Sequence, residues 1–439
     1  MPKELSQRFA TLLSKLPEAN KFLQSLSEVL RAMEAARGFL ALGIGLGVVL
    51  ALGTRKTNVF WLVLVSFFIR VGLSIFHYVK FCLPDSHADA IMFEHTARQW
   101  AAEGWGSLRS HWQSGALLYS WVLAFLYLLL GPSALLAQAF NVLLGTFAVY
   151  LIWVIASEIF DQQKARVAGW IACFFPTLNL YSALTMREAL FVFLTLYGVL
   201  FTVRWFKAQK LKHFVWATIF LVLATGFHLG AWPLLWALGL WSLGVGALAG
   251  LRAKKLSWKL LGELACVGAA SAFIVIFKWG WDKGAVFEVG VGNIQQAYAI
   301  GRAAYLQNLV ARNILDLFWQ APIRIVFFLF TPFPWMVKEP RDLIGFADAI
   351  LYVLLVICTL WSLMHLFKTK QAALWKAVFL LSLAAIGIAA FATITSNYGA
   401  AIRHRAKFVP FLLVASVPAL FTVSSRGRRL WERVVSSLS

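Results

Sequence analysis

Apolar runs alternating with clusters of lysine and arginine constrain this chain more than any other feature. Runs at 38–53 and 58–82 flank Thr54-Arg55-Lys56-Thr57, runs at 134–159 and 167–186 flank Lys164-Ala165-Arg166, and runs at 189–203 and 214–228 flank Arg204, Lys207, Lys210 and Lys212. The pair 230–250 and 258–278 flanks Arg252, Lys254 and Lys255, the pair 343–367 and 372–394 flanks Lys368-Thr369-Lys370, and a last run, 408–424, ends at Arg426-Gly427-Arg428-Arg429. A bilayer is crossed by about 20 apolar residues in a helix, and Lys and Arg collect on its cytoplasmic side. The expectation is an all-α polytopic membrane protein of about 11 transmembrane helices, its basic clusters in the cytoplasm.

Composition agrees where it matters. With 61% hydrophobic and 13% charged residues in 439, a soluble domain is excluded. The formal net charge of +21 would suggest nucleic acid in a soluble chain; here the membrane topology accounts for it, and no nucleic-acid partner is expected. Cys82, Cys173, Cys266 and Cys358 lie in or at the end of apolar runs, without metal-ligand spacing, and read as small core hydrophobes. No cleavable signal peptide is expected, because the first apolar run starts near Gly38. Before it, Phe9, Leu12, Leu13, Leu16, Leu23, Leu26, Leu30 and Met33 recur near helical spacing, which predicts a helix lying on the membrane surface over 1–37.

Alternation then places outside the cytoplasm the loop 83–133, Arg187-Glu188, His228, the segment 279–342 and residues 395–407. Residues 116–130 are apolar enough to cross, but crossing would put every later basic loop on the wrong side. They are read as a juxtamembrane or re-entrant outer helix ended by Gly131-Pro132-Ser133, and 322–335 likewise, ended by Thr331-Pro332-Phe333-Pro334-Trp335. A short amphipathic helix is expected around Ala297–Leu317. The implied organisation is an amphipathic segment 1–37, a catalytic N-terminal transmembrane module 38–205 with first outer loop 83–133, and a C-terminal module 206–439 with outer loop 279–342.

The chemistry gathers on that outer face. Pro84-Asp85-Ser86-His87-Ala88-Asp89 opens a stretch in which Asp89, Phe93, Ala97 and Trp100 share one helical face. Clustered acids beside a bilayer mark function, although Asp85 or Asp89 alone could equally be a helix N-cap. Glu188 follows Arg187 in the next outer loop and is either a second functional acid or half of a surface ion pair. Arg403-His404-Arg405 with Lys407 oppose the positive-inside rule; they read as a phosphate clamp or as a solvated loop. Arg302, Arg312, Arg324 and Lys338 add outer positive charge. His87, His95 and His111 with Asp85 are the candidate ligands for a divalent metal, without any supporting spacing; no other cofactor is expected.

The stretch Asp89-Ala90-Ile91-Met92-Phe93-Glu94-His95-Thr96-Ala97, followed by Glu103-Gly104, resembles the first outer loop of GT-C glycosyltransferases, including the protein mannosyltransferase and aminoarabinose transferase groups, with Phe93 in place of the usual Tyr. The resemblance continues through Tyr119, Gly131-Pro132-Ser133, Gln138, Asn141, Phe175-Pro176-Thr177 and Tyr181-Ser182 to Arg187-Glu188, covering residues 58–205. It implies that Asp89 is the catalytic base, with Asp85 the second choice, and that Glu188 is the second acid. Chemistry of this kind needs a carboxylate for the proton of the attacking hydroxyl and cations for the departing phosphate. Arg187, Arg403, His404, Arg405, His111, Tyr119 and Arg324 are the expected substrate-binding residues. The expected function is transfer of a sugar, with inversion, from a polyprenyl-phosphate-linked donor to a hydroxyl on a glycan, lipid or protein acceptor. The expected place is the extracytoplasmic face of an inner (plasma) membrane. A lipid-linked oligosaccharide polymerase or ligase shares the same logic. A lipid-linked glycan transporter is less well served, because charges inside the spans are few beyond Arg70 and Glu263.

Overall fold

A computed structural model describes residues 17–55, 57–79, 82–253, 258–279, 290–340 and 342–425. The chain opens on a helix α1 (Pro17–Arg55) of 39 residues. At 1.5 Å per residue this is about 58 Å, nearly twice the hydrocarbon core of a bilayer. No break separates 17–37 from 38–53: the described part of the expected surface helix continues the first span, and Phe9 to Leu16 lie outside the described residues. Next come α2 (Phe60–Tyr78), α3 (Asp89–Ala102), α4 (Ala116–Leu130) and α5 (Ala134–Ile159), the last capped by Ser133, whose hydroxyl accepts from the Leu136 amide. Then follow α6 (Gln162–Phe174), α7 (Pro176–Ala183), α8 (Glu188–Ala208), α9 (Leu211–Phe227), α10 (Trp232–Ala253) and α11 (Trp258–Ile276). After them stand α12 (Val291–Tyr298), α13 (Ile314–Phe330), α14 (Asp342–Lys368), α15 (Ala373–Ile394), α16 (Tyr398–Arg405) and α17 (Val409–Ala415). Among the described residues the only β pairing is an isolated bridge between Ala304 and Asn397.

Among the described residues, eight helices are long and apolar enough to cross a membrane, nine if the segments Tyr398–Ala415 and Val417–Ser425, bent by 63°, form one span. The expected eleven is therefore not met among the described residues, and two apolar runs explain the difference. The run 167–186 is cut at Phe175-Pro176 into α6 and α7, since proline cannot donate the helical hydrogen bond and clashes with the preceding turn. The run 214–228 yields α9, whose 17 residues reach about 25 Å. As expected, α4 is a 15-residue apolar helix, of about 22 Å, that stops at Gly131. The helix expected around Ala297–Leu317 does not form as one piece: α12 ends at Tyr298, and α13 starts at Ile314 behind a capping box of Asn313 and Asp316.

The hub is α5, which packs on α1, α2, α6 and α8. Close approach at its middle requires a missing side chain. A Cβ on Gly145 would fall 2.3 Å from the Ser182 Cβ and 2.7 Å from the Arg70 Nε. That room lets the buried Arg70 donate to the Ser182 hydroxyl at 2.8 Å and to the Ser66 hydroxyl at 2.6 Å. On α11, Glu263 is likewise buried and satisfied, accepting from Trp205 Nε1 and Ser242 Oγ, each at 2.6 Å. Both intramembrane charges thus act as polar ties between helices.

Candidate active site

Helix α3 lies against α4 through Ala90, Phe93, Ala97 and Trp100, the spacing of one helical face. Phe93 packs edge-on to Tyr119 with ring centroids 5.3 Å apart. The loop before α3 turns through two non-glycine residues of positive φ, Asp85 (61°) and Ala88 (50°). Aspartate tolerates that region, but an alanine there stores strain of about 1–3 kcal/mol. The strain sits at the residue that fixes where α3 begins. Asp89 occupies the first helical position, and no side chain caps this terminus. Its carboxylate reaches away from its own helix and accepts from Arg403 Nη1 at 2.6 Å.

Arg403 and Lys407 come from the start of the bent segment. Asn397 caps α16 by accepting from the amides of Gly399 and Ala400. Positions four apart share a helical face, so Arg403 and Lys407 both turn to Glu188: Lys407 Nζ lies 3.3 Å and Arg403 Nε 3.9 Å from Glu188 Oε1. Glu188 is itself the first residue of α8, where the helix dipole favours a carboxylate. His404 faces Lys407, its Nδ1 2.9 Å from Nζ. Arg187 donates to the Phe227 carbonyl at 2.8 Å, and its guanidinium lies 5.8 Å from the centre of the Phe93 ring. His228 accepts from the Gly230 amide at 3.1 Å through Nδ1, which leaves the ring proton on Nε2. Burial, followed by the charges of Lys407 and Arg187, holds His228 well below its ordinary pKa, so it is a neutral donor.

Two cavities meet here. One of about 990 Å³ is lined by Asp89, Phe93, Trp112, Arg187, Lys278 and Trp279, among others. A second, of about 320 Å³, is lined by Asp89, Arg187, His228, Tyr298, Arg403 and His404, among others. Asp89 and Arg187 border both. The arrangement offers a carboxylate held by one arginine, a second arginine beside it, and a neutral histidine donor, between two spaces large enough for separate molecules.

Asp85 keeps an exposed side, yet the protein mass around it pushes its pKa up to about 6; Arg403 opposes the rise, and the carboxylates of Glu188 and Asp89 add to it. The folded chain therefore holds this proton more tightly than the unfolded one. Its stabilising effect is full below the unfolded value of 3.8 and is lost as pH rises through about 6. Asp85→Asn, which mimics the protonated form, is expected to melt above wild type at about pH 7.5 and level with it only below the unfolded value, at about pH 3. An equal difference at both pH values would remove Asp85 from the titrating groups.

Of the residues expected from sequence, Asp85, Asp89, Arg187, Glu188, Arg403 and His404 come together, and four do not join them. Arg405 sits two positions after Arg403, about 200° around the helix. It is fully buried on the far side, bound to Asp348 at 2.6 Å and to the carbonyls of Leu329 and Thr331, each at 2.7 Å. Arg324 is buried too, donating to Gln320, Ser396 and the Leu309 carbonyl. His111 stacks on Trp100, ring centroids 4.9 Å apart, and pairs with Glu103 at 2.6 Å near the surface. Tyr119 is buried behind Phe93 and lines neither cavity. Arg302 is likewise spent on Asp342. Lys407, read from sequence with the phosphate clamp, does join the cluster, whereas sequence reasoning did not place His228 among the site residues. Asp89 and Glu188 face Arg403 and Lys407, and among the described residues no group of three His, Cys, Asp or Glu is placed to hold a metal ion.

Comparison with known proteins follows the geometry. Residues 114–276 match the family model of dolichyl-phosphate-mannose-protein mannosyltransferases. The fold is similar to the Archaeoglobus fulgidus oligosaccharyltransferase in its apo form, at 12% identity and a TM-score of 0.46, over 86% of this chain and 52% of that one. It is also similar to the complex of the Archaeoglobus fulgidus oligosaccharyltransferase with Zn and sulfate, at 15% and 0.47, over 86% and 50%. The chain spans about half the length of these solved structures. No curated protein matches it in sequence. The mannosyltransferase pattern thus covers the stretch from the end of the first loop through α11, within a set of described helices of which eight or nine are long and apolar enough to cross a membrane.

Proposed function

We propose that the protein transfers a sugar from a polyprenyl-phosphate-linked donor to a hydroxyl acceptor, with Asp89 as the general base, on the membrane face that carries α3. The observation that carries this reading is the position of Asp89, which borders two cavities at once while Arg403 holds its carboxylate. A transferase must bring two molecules to one proton acceptor, whereas a helix cap needs neither cavity. In the reaction, the acceptor oxygen attacks the anomeric carbon as Asp89 takes its proton. The bond from that carbon to the phosphate oxygen breaks, and the carrier phosphate leaves with the electron pair. A single displacement inverts the anomeric centre. Arg187, at the junction of the cavities, meets the charge growing on the leaving phosphate. Glu188 lines neither large cavity; it orients Arg403 and Lys407. The face is extracytoplasmic if the basic clusters lie in the cytoplasm.

The test is the protein in nanodiscs made with a lipid extract of its host, with the host's glycan, lipid and protein fractions supplied in turn. Mass spectrometry then looks for the freed carrier. Release of polyprenyl phosphate with one of the fractions is expected; release of the diphosphate would identify the polymerase or ligase chemistry instead. No carrier released, with donor lipid detected in the same discs, would overturn the reading.

A further inference from the structure

A third cavity lies away from the two that Asp89 borders. It is a groove of about 260 Å³, lined by Arg37, Leu40, Ala41, Ile44 and Gly45 of α1, by Leu126 and Leu130 of α4, and by the α5 positions Leu136, Ala139, Phe140 and Leu143. It shares no residue with the candidate active site. Its polarity is graded along its length. Arg37 stands at one end, beside the Gly131-Pro132 turn, and every other lining residue is apolar. From Arg37 to Gly45 the α1 rail runs about 12 Å, close to the depth of one leaflet's hydrocarbon. The α5 rail runs the same way, because Gly38 of α1 meets Leu135 at the first turn of α5. Ala41, Gly45 and Ala139 supply the room between the rails.

Arg37 is held in place without being neutralised. Its guanidinium wraps the turn so closely that a Cβ on Gly131 would fall 2.6 Å from its Cζ, and it reaches the Pro132 carbonyl at 3.5 Å. Glu34, one turn earlier, is committed to Arg98 of α3 by two contacts of 2.7 and 2.9 Å. Among the described residues no carboxylate pairs with Arg37. A fixed cation at the level where α5 enters the membrane, above an apolar trough one leaflet deep, matches the order of groups in a phospholipid: phosphate first, acyl chain below. Arginine suits phosphate through its fork of donors.

We propose that this groove is a binding site for an anionic phospholipid, its phosphate on Arg37 and one acyl chain between α1 and α5. The site is separate from the sugar-donor cavities, and it does not depend on the transferase reading. The lipid would tie α1 to α4 and α5 where the Glu34–Arg98 pair already joins α1 to α3.

The test uses the full chain, delipidated and returned to mixed phosphatidylglycerol and phosphatidylcholine, with native mass spectrometry of the retained lipid. Wild type is expected to keep one phosphatidylglycerol in preference to phosphatidylcholine. Arg37→Gln should cut that preference about tenfold, the worth of one charge-assisted contact. Ala41→Phe, which fills the trough, should lose the bound lipid of either kind. An unchanged preference in Arg37→Gln would overturn the proposal. So would retention of a polyprenyl phosphate, or of a second copy of the chain, in place of the phospholipid. Thermal melts of each variant identify misfolding, and if Ala41→Phe does not fold, Arg37→Gln decides alone.

Discussion

Asp89→Asn is expected to reduce carrier release about a hundred- to ten-thousandfold, the range for loss of a general base, while the protein keeps its fold. The substitution is chosen because the two readings of this residue diverge on it. Asparagine caps helices as well as aspartate does, and its amide oxygen still accepts from Arg403, so a merely structural Asp89 predicts full activity. The structure already argues against the cap, since the carboxylate turns from its own helix to an arginine on α16. The stability change should be small, because the Asp89 carboxylate is about a third exposed (37%) and ion pairs open to solvent contribute little. Glu188→Gln should lower turnover less, since Glu188 acts through Arg403 and Lys407 rather than on the substrate. Parallel turnover and melting measurements decide the matter, and undiminished release from Asp89→Asn would end its role as base.

The largest effect on stability is expected from Asp348→Ala. Arg405 is fully buried; it takes both Nε and Nη2 to one oxygen of Asp348, at 3.0 and 2.6 Å, and lies 4.8 Å from the centre of the Tyr352 ring. Removing the carboxylate strands a cation that water cannot reach, a loss of about 3–5 kcal/mol for a buried pair broken on one side. The double variant Asp348→Leu with Arg405→Met removes both charges at similar volume and should recover most of the loss, because paired burial carries its own desolvation penalty. Melting curves in one detergent for the single and double variants test this. If the double variant melts as low as Asp348→Ala, the pair is not what joins α14 to α16.

These two predictions also mark what could be read from the residues and what could not. Arg403 stands out in the sequence because positive charge on the wrong side of the positive-inside pattern has few explanations, whereas Asp89, Arg187 and Glu188 are picked out by clustered charge and by the resemblance to the GT-C outer loops. Arg405 was grouped with Arg403 because adjacency in a linear string says nothing about direction. Two positions on a helix point to opposite sides, and only the fact that Tyr398–Arg405 is helical makes that decisive. The same geometry separates Lys407, which shares the face of Arg403, from Arg405, which does not. Phe175-Pro176 is a second instance. Hydropathy averages over a proline, so 167–186 read as one span, while the backbone hydrogen-bond pattern ends there. His111 was credited with substrate for lying in the right loop, and only tertiary packing shows it spent on Trp100 and Glu103.

The ion pair between Asp89 and Arg403 spans 314 positions of sequence. At about 5–20 residues per second, a ribosome needs roughly a quarter of a minute to a minute to travel from one partner to the other. During synthesis the three carboxylates are therefore delivered to the membrane well before Arg403 and Lys407 exist. Until then Asp89 waits without its arginine, and every upstream helix can insert before the cluster around it is complete. Competence arrives in one late step, when the segment from Tyr398 docks, so a translation product arrested before it would be membrane-inserted yet inert.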